Sequence, residues 1–129
     1  MMSESLFVIP NGVQTRWASP ENWGAEKGAA CAEDDGRKRS AWFRLPSGES
    51  RELLNLKGVS GVVRRFWVTI EDRSPAMLRG LRLDLYWDGA ATPAVSAPLG
   101  DFFGFGLGRL ARLHSALIHQ RPTSVAWWS

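Results

Sequence analysis

Residues 58–108 read GVSGVVRRFWVTIEDRSPAMLRGLRLDLYWDGAATPAVSAPLGDFFGFGLG, and this stretch decides the fold. Within residues 81–87, leucine or tryptophan occupies every second position, and residues 65–71 alternate in the same way around Phe66 and Val68. Successive side chains of a strand point to opposite faces, so both runs indicate strands with one buried face. The stretch therefore predicts a β-sheet core.

Turn-forming residues separate these strands. Ser74 and Pro75 predict the start of a helix of one to two turns, because serine caps a first turn and proline fits the first helical position. Gly80 is expected to end that helix in the left-handed conformation. An Asp-Gly pair at residues 88–89 predicts a hairpin turn that leads to a return strand at 95–99.

Two further patterns predict elements outside this stretch. A first hairpin is expected from residues 41–45 and 51–56, joined by the turn sequence PSGES. The leucine spacing in residues 109–120 predicts a short helix. The chain is thus divided into a lead-in at 1–14, a long ordered loop at 15–40, a sheet core at 41–108 and an atypical tail at 109–129, within one domain.

Composition limits the functional classes. The chain of 129 residues has sixteen basic and thirteen acidic side chains, a net charge of +3, and one cysteine, Cys31. The basic residues form no stripe and no nucleic-acid motif accompanies them, so a nucleic-acid partner is not expected. A lone cysteine excludes an internal disulfide, and the sequence contains neither a signal peptide nor a membrane-spanning run. We expect a cytoplasmic protein that binds no membrane.

Motifs for phosphate, metal or catalysis are not recognised. The glycines within residues 104–108 match no phosphate-binding spacing, and His114 and His119 lie at no zinc-ligand spacing. Glu71 and Asp72 are neighbours, so in a continuous strand they point to opposite faces and cannot flank one glycosidic bond. Asp72 is interpreted as part of a salt-bridged turn with its neighbour Arg73. No catalytic residue, metal site or cofactor is predicted.

Seven tryptophans are a high number for a chain of 129 residues. Most are expected in the core, because burying each removes about 150–250 Å² from water. Trp67 lies on the strand face opposite Phe66, where it requires a second layer, another subunit or a flat ligand such as a sugar. Trp17 and Trp23, in the long loop, are the other candidates for stacking on a ligand.

Several blocks in order carry a family resemblance: TRWASPENWGAEKG (15–28), GRKRS (36–40), GVVRRFWVTIEDRSPAMLR (61–79) and the run from residue 81 to 108. Together they resemble the N-terminal part of glycoside hydrolase family 172, over about residues 12–118. The resemblance implies a retaining enzyme, similar to difructose dianhydride I synthase/hydrolases, that acts on α-D-fructofuranosides or D-arabinofuranosides with two glutamates and no metal. It also implies a jelly-roll β-sandwich assembled into trimers or hexamers.

The resemblance implies a mainly β fold for this chain, a partial jelly-roll β-sandwich with one or two short helices. The two catalytic glutamates of the family are expected well downstream of the GDFFG block, yet no glutamate follows Glu71. We therefore expect a truncated N-terminal fragment, produced by a frameshift or an early stop, that is inactive alone.

Substrate contacts are the part of the family function that the resemblance carries over. Trp17, Ser19, Glu21 and Asn22 match the family loop and are residue types that hold sugars. Local structure is the alternative, because Ser19-Pro20-Glu21 is also a helix-start sequence. The rival hypotheses are a non-catalytic β-sandwich that binds carbohydrate or assembles as a homo-oligomer, and a reading frame that does not fold stably.

Overall fold

The computed structural model describes residues 8, 10–32, 35–40, 42–109, 113–114, 118–120 and 127–128. The chain divides into two compact units, Met1–Ser60 and Gly61–Ser129. In the described part, two short helices and five short antiparallel strands all belong to the second unit. A mainly β chain with short helices is compatible with this structure. The jelly-roll sandwich stays a prediction, as does the division of the chain into lead-in, long loop, sheet core and tail.

The first unit consists of turns in its described part. Within the PSGES sequence, Glu49 N donates to the Pro46 carbonyl at 3.1 Å and Gly48 has a φ of 79°, which confirms the turn. Residues 42–45 and 51–56 form no strand, and Ala41 lies outside the described residues. The predicted hairpin is wrong in this part, because these segments bury no common apolar face that would fix their pairing.

Helix α1 spans Pro75–Gly80 and has the predicted start. The Ser74 hydroxyl accepts a hydrogen bond from Met77 N at 3.3 Å, and proline occupies the first turn, where its missing N–H has no consequence. The predicted left-handed Gly80 is wrong. The helix ends instead at extended Leu81, whose N–H donates to the Met77 carbonyl at 3.0 Å, so the chain passes directly into a strand.

Strands β1 (Arg82–Leu85) and β2 (Val95–Pro98) form the predicted antiparallel hairpin. Asp88 and Gly89 have φ angles of 53° and 71°, and Ala90 N donates to the Trp87 carbonyl at 3.0 Å. Two consecutive positive φ angles match the twist of the flanking strands, which explains why an Asp-Gly pair occupies this turn.

A short helix, α2 (Leu99–Phe102), follows β2 directly, and the glycine-rich loop folds back on it. Phe105 N donates to the Gly100 carbonyl at 2.6 Å, and Gly104 has a φ of 71°. Gly100 and Gly106 are buried against one another, since a Cβ built on Gly100 would lie 2.9 Å from the Gly106 Cα. The glycines therefore permit close backbone packing in this loop.

The core of the second unit lies between α1, β1 and the glycine-rich loop. Leu78, Leu83 and Phe103 are buried there. Phe103 stacks on Phe66 with ring centroids 5.7 Å apart and planes inclined by 11°, and Phe102 meets both rings edge to face. These three phenylalanines extend the core toward the residues that precede α1.

Residues 65–71 keep the predicted alternation without forming a strand ladder. Phe66, Val68 and Ile70 are half-buried, whereas the residues between them are exposed. Phe66 takes part in an isolated β-bridge. The alternation shows that this segment is extended with one inner face, as predicted, although no other described residue pairs along it.

Three short strands lie in the tail: β3 (Leu113–His114), β4 (Ile118–Gln120) and β5 (Trp127–Trp128). They pair antiparallel in the order β3-β4-β5, with His114 opposite His119. The helix predicted for residues 109–120 is therefore wrong in its described part. A short apolar run with mixed spacing does not distinguish helix from strand, and cross-strand pairing decided the conformation here.

Candidate functional site

An open hollow of about 210 Å³ lies in the loop that the sequence predicted to carry function. It is lined by Thr15, Arg16, Trp17, Asn22, Glu26, Lys27, Gly28 and Ala30. The described lining residues all belong to the first unit and come from a run of sixteen positions. The loop thus folds around a concave surface of its own.

Asn22 holds this loop closed. Its side-chain amide donates to the Glu26 carbonyl and accepts from Glu26 N, both at 2.9 Å, and its exposed fraction is only 7%. Its backbone pairs with Ser19 through two further hydrogen bonds of 2.9 and 3.2 Å. A buried amide with both ends bonded within the loop serves local structure.

The four predicted contact residues are therefore only partly brought together. Trp17 and Asn22 line the hollow, while Ser19 and Glu21 do not. The Glu21 carboxylate accepts a hydrogen bond from Arg39 N at 3.1 Å, which joins this loop to the segment that follows it. Ser19 and Asn22 form a tight turn, so the helix start predicted as the alternative for residues 19–21 is wrong. The contacts of these residues are nevertheless local, as that alternative proposed.

Trp17 presents the aromatic surface of the hollow. Its side chain remains 49% exposed. An exposed indole face next to hydrogen-bonding groups is the arrangement that a sugar ring can stack upon, since the ring offers apolar C–H groups and the neighbours offer polar atoms. Of the four predicted residues, Trp17 is the one that the geometry leaves available for such a contact.

Three charged residues of the hollow were not singled out from the sequence: Arg16, Glu26 and Lys27. The Arg16 guanidinium donates to the Ala25 carbonyl at 3.3 Å and to Gln14 Oε1 at 2.6 Å, so it supports the loop while facing the hollow. Glu26 and Lys27 are exposed. All three lie in the TRWASPENWGAEKG block that carries the family resemblance, which is the signal that could have found them.

Trp23 and Trp67 differ from Trp17. The Trp23 ring meets Phe43 edge to face, with centroids 5.2 Å apart, and the Arg51 guanidinium lies 4.5 Å from its centroid. This indole is therefore occupied by packing and a cation–π contact. Trp67 lies in the second unit and is 58% exposed on the outer face of its segment, as the alternation predicted.

The carboxylate of Asp72, just before α1, is part of a hydrogen-bonded turn. Asp72 Oδ1 accepts a hydrogen bond from Ser74 N at 2.8 Å, and this bond, with a further one from the Ser74 side chain, lowers the pKa of the Asp72 carboxyl. No ion pair joins Asp72 to Arg73, so the predicted salt-bridged turn is instead a hydrogen-bonded one. The residues that the structure describes contain no cluster of three metal-ligating side chains and no helix that could cross a membrane.

Comparison with known proteins identifies a family. A family model described as GH172 domain-like matches residues 36–124. No match was found among curated proteins or among solved structures. The matched region covers the whole β1-β2 hairpin and both helices, and it begins after the residues that line the hollow.

Proposed function

Because the chain belongs to the GH172 domain-like family, we propose that it corresponds to the N-terminal part of a furanosidase-like glycoside hydrolase and contributes carbohydrate contacts there. The family match over residues 36–124 is the observation that supports a glycoside hydrolase context. Fructofuranosides and arabinofuranosides are the proposed ligands. A partial jelly roll is the proposed architecture, supported by the antiparallel β1-β2 hairpin with its single buried face.

The proposed contact surface is the hollow around Trp17. The exposed indole supplies a stacking plane, and Arg16, Glu26 and Lys27 supply donors and acceptors at its edge. Asn22 contributes indirectly in this proposal, by holding the loop in shape. Ser19 and Glu21, which the resemblance also implied, support the same loop through their backbone and carboxylate contacts.

Hydrolysis is not part of the proposed role. The resemblance implies two glutamates downstream of the GDFFG block, and the sequence has no glutamate after Glu71. Glu26 borders the hollow, but no other carboxylate among the described residues lines it to form the pair that a retaining mechanism requires. We therefore propose binding without turnover for these 129 residues.

Titration with fructo- and arabinofuranoside oligosaccharides, followed by tryptophan fluorescence and calorimetry, tests the binding proposal. Trp17→Ala should weaken binding by about fivefold to thirtyfold, because a stacking contact contributes on the order of 1–2 kcal/mol. Trp87→Ala is the matched control, since Trp87 is 47% exposed against 49% for Trp17 and lies outside the hollow. Equal losses for both variants would contradict a site at Trp17.

Release of free fructose or arabinose, measured in the same samples, tests the absence of turnover. We expect none above the level of a blank without protein. Turnover that Glu26→Gln abolishes would show that the hollow is catalytic and would overturn this part of the proposal. The rival hypothesis of a non-catalytic carbohydrate-binding β-sandwich also predicts binding without turnover. An unfolded sample would support the other rival hypothesis, a reading frame that does not fold stably.

A further inference from the structure

The hollow around Trp17 carries more positive than negative charge. Its charged lining residues are Arg16, Glu26 and Lys27, and all three are exposed. Among the described residues, the lining therefore has two cationic side chains and one carboxylate. A neutral sugar is held by stacking and by hydrogen bonds that need no net charge. The surplus of positive charge indicates a ligand that is itself negative.

The Arg16 guanidinium is held in place by neutral acceptors. It donates to the Ala25 carbonyl at 3.3 Å and to Gln14 Oε1 at 2.6 Å, and neither oxygen carries a charge. No carboxylate of a described residue forms an ion pair with it. The two bonds fix the position of the cation without neutralising it, and a guanidinium has more N–H donors than they use. Part of the cost of ordering this side chain around an anion is therefore met before the anion binds.

Lys27 is a second cation at the hollow without a described carboxylate partner. Its neighbour Glu26 has a fixed backbone, because the Asn22 amide bonds both the N–H and the carbonyl of that residue. The Glu26 carboxylate lies on the side of Gly24, where a Cβ built on the glycine would be 3.8 Å from Glu26 Oε1. The one carboxylate of the lining thus forms no ion pair with either cation.

We infer that the hollow selects furanosides that carry an anionic group, a phosphate or a carboxylate, on the sugar. In this arrangement the Trp17 indole stacks on the ring, while the Arg16 guanidinium and the Lys27 ammonium group bind the anion. The planar fork of an arginine matches the oxygens of a carboxylate or a phosphate through two parallel N–H···O bonds. The inference rests on the proposed carbohydrate function and narrows its ligands from furanosides in general to charged ones.

Calorimetry with matched sugars tests this selectivity. Methyl fructofuranoside, whose methyl group keeps the ring in the furanose form, is compared with the same sugar phosphorylated on a primary hydroxyl. The phosphorylated sugar should bind about five- to tenfold more tightly, because charge-assisted hydrogen bonds are strong but those at an exposed site are weakened by solvent. Added salt should reduce this preference, since it screens exposed charges. Inorganic phosphate alone is titrated in the same buffer.

Substitutions at the hollow test which residues produce the preference, measured as the ratio of the two affinities. Lys27→Gln should reduce this ratio by about threefold. Lys57→Gln is the matched control, because Lys57 is an exposed lysine of the first unit that does not line the hollow, and it should leave the ratio unchanged. Glu26→Gln removes the negative charge and should raise the ratio by about twofold. Opposite changes at two neighbouring positions cannot result from a loss of folding.

A third sugar separates the two kinds of anion. The primary hydroxyl carbon that carries the phosphate is oxidised to a carboxylate, and this compound is titrated under the same conditions. A preference for both charged sugars over the neutral one would show that the hollow recognises either anion. A preference for one of them would identify which anion it takes.

The outcomes distinguish this inference from the proposed function. Equal affinity for the neutral sugar and both charged sugars would overturn the inference and leave furanoside binding intact. An equal loss of preference in Lys27→Gln and Lys57→Gln would also overturn it, because net charge would then explain the effect. Inorganic phosphate that binds as tightly as the phosphorylated sugar would show an anion site without sugar recognition. If no sugar binds, both the proposed function and the inference are wrong.

Discussion

At the scale of single residues, Gly100 packs closely against Leu78 and Gly106. A Cβ at this position would lie 2.8 Å from the Leu78 Cβ and 2.9 Å from the Gly106 Cα, both closer than real contacts allow. Gly100→Ala should therefore destabilise the chain by about 1–3 kcal/mol, as overpacking does, although alanine is the better helix former. Urea unfolding followed by circular dichroism measures this change.

Gly80→Ala provides the matched control for that substitution. Gly80 also lies in a helix, its φ is not positive, and a Cβ there would meet no atom within 4 Å. We expect alanine to be neutral or to stabilise by about 0.5 kcal/mol, because it restricts the unfolded chain. Equal destabilisation by both variants would contradict the packing argument for Gly100.

Asn22 shows what sequence reasoning reaches at this scale and where it stops. Its residue type and its place in the block of residues 15–28 marked it as a candidate sugar contact. The structure gives its amide two hydrogen bonds to Glu26, four residues later, and leaves it almost fully buried. Sequence identifies the polar groups of a loop, but only the closed backbone shows which of them are already used.

At the scale of elements, the Ser74 cap decides how well α1 forms. The helix has only six residues, so it depends on its end and on tertiary packing. Ser74→Ala removes the acceptor for Met77 N and should reduce the free energy of unfolding by about 1 kcal/mol. Ser74→Thr keeps the hydroxyl at the cap and should retain most of the stability in the same urea measurement. A loss as large as that of the alanine variant would argue against capping.

Asp72 gives the same turn a dependence on pH. Hydrogen bonds from Ser74 lower the pKa of its carboxyl from the ordinary value of 3.8, with the backbone N–H contributing most. A carboxyl whose pKa is lower in the folded state than in the unfolded chain stabilises the fold at pH values above its unfolded-state pKa. This contribution is lost as the pH falls through the folded-state pKa. Stability should therefore decrease on acidification below 3.8 partly through this group.

Asp72→Asn tests that dependence, because asparagine keeps the side-chain acceptor and removes the titration. We expect the variant to be less stable than the original chain at neutral pH and to lose less stability on acidification. Urea midpoints measured at neutral pH and at values below 3.8 give the comparison. Parallel losses in both proteins would show that Asp72 does not contribute.

Several elements with strong local signals were predicted correctly, whereas the left-handed helix end at Gly80 and the elements that depend on distant partners were not. The β1-β2 hairpin has its turn dihedrals encoded by Asp88-Gly89, and α1 has its start encoded by Ser74 and Pro75. Residues 42–45 have a strand-like composition and a correct turn after them. They lack a buried face, so nothing selects a pairing register. The periodicity of residues 109–120 was ambiguous because a short apolar run with mixed spacing does not distinguish helix from strand.

At the scale of the whole molecule, the core formed by the described residues is small. Its buried apolar residues are Ala25, Leu78, Leu83 and Phe103. Mean burial rises with chain size, and a chain with few buried side chains depends strongly on each of them. The sequence predicted Leu83 as an inward residue from alternation, whereas the burial of Leu78 and Phe103 depends on how α1 and the glycine-rich loop close over β1.

Leu83→Ala should therefore have a large effect on the fold. Leu83 is 7% exposed, and truncating a buried leucine typically destabilises by about 2–5 kcal/mol through lost transfer free energy and the cavity left behind. Leu107→Ala makes the same chemical change at a side chain that is 68% exposed and should alter stability by no more than about 0.5 kcal/mol. Thermal unfolding followed by near-ultraviolet circular dichroism distinguishes them. If both variants unfold at the same temperature, the small core at β1 does not support the fold. If only Leu83→Ala unfolds early, the β1-β2 hairpin is the part on which the second unit depends.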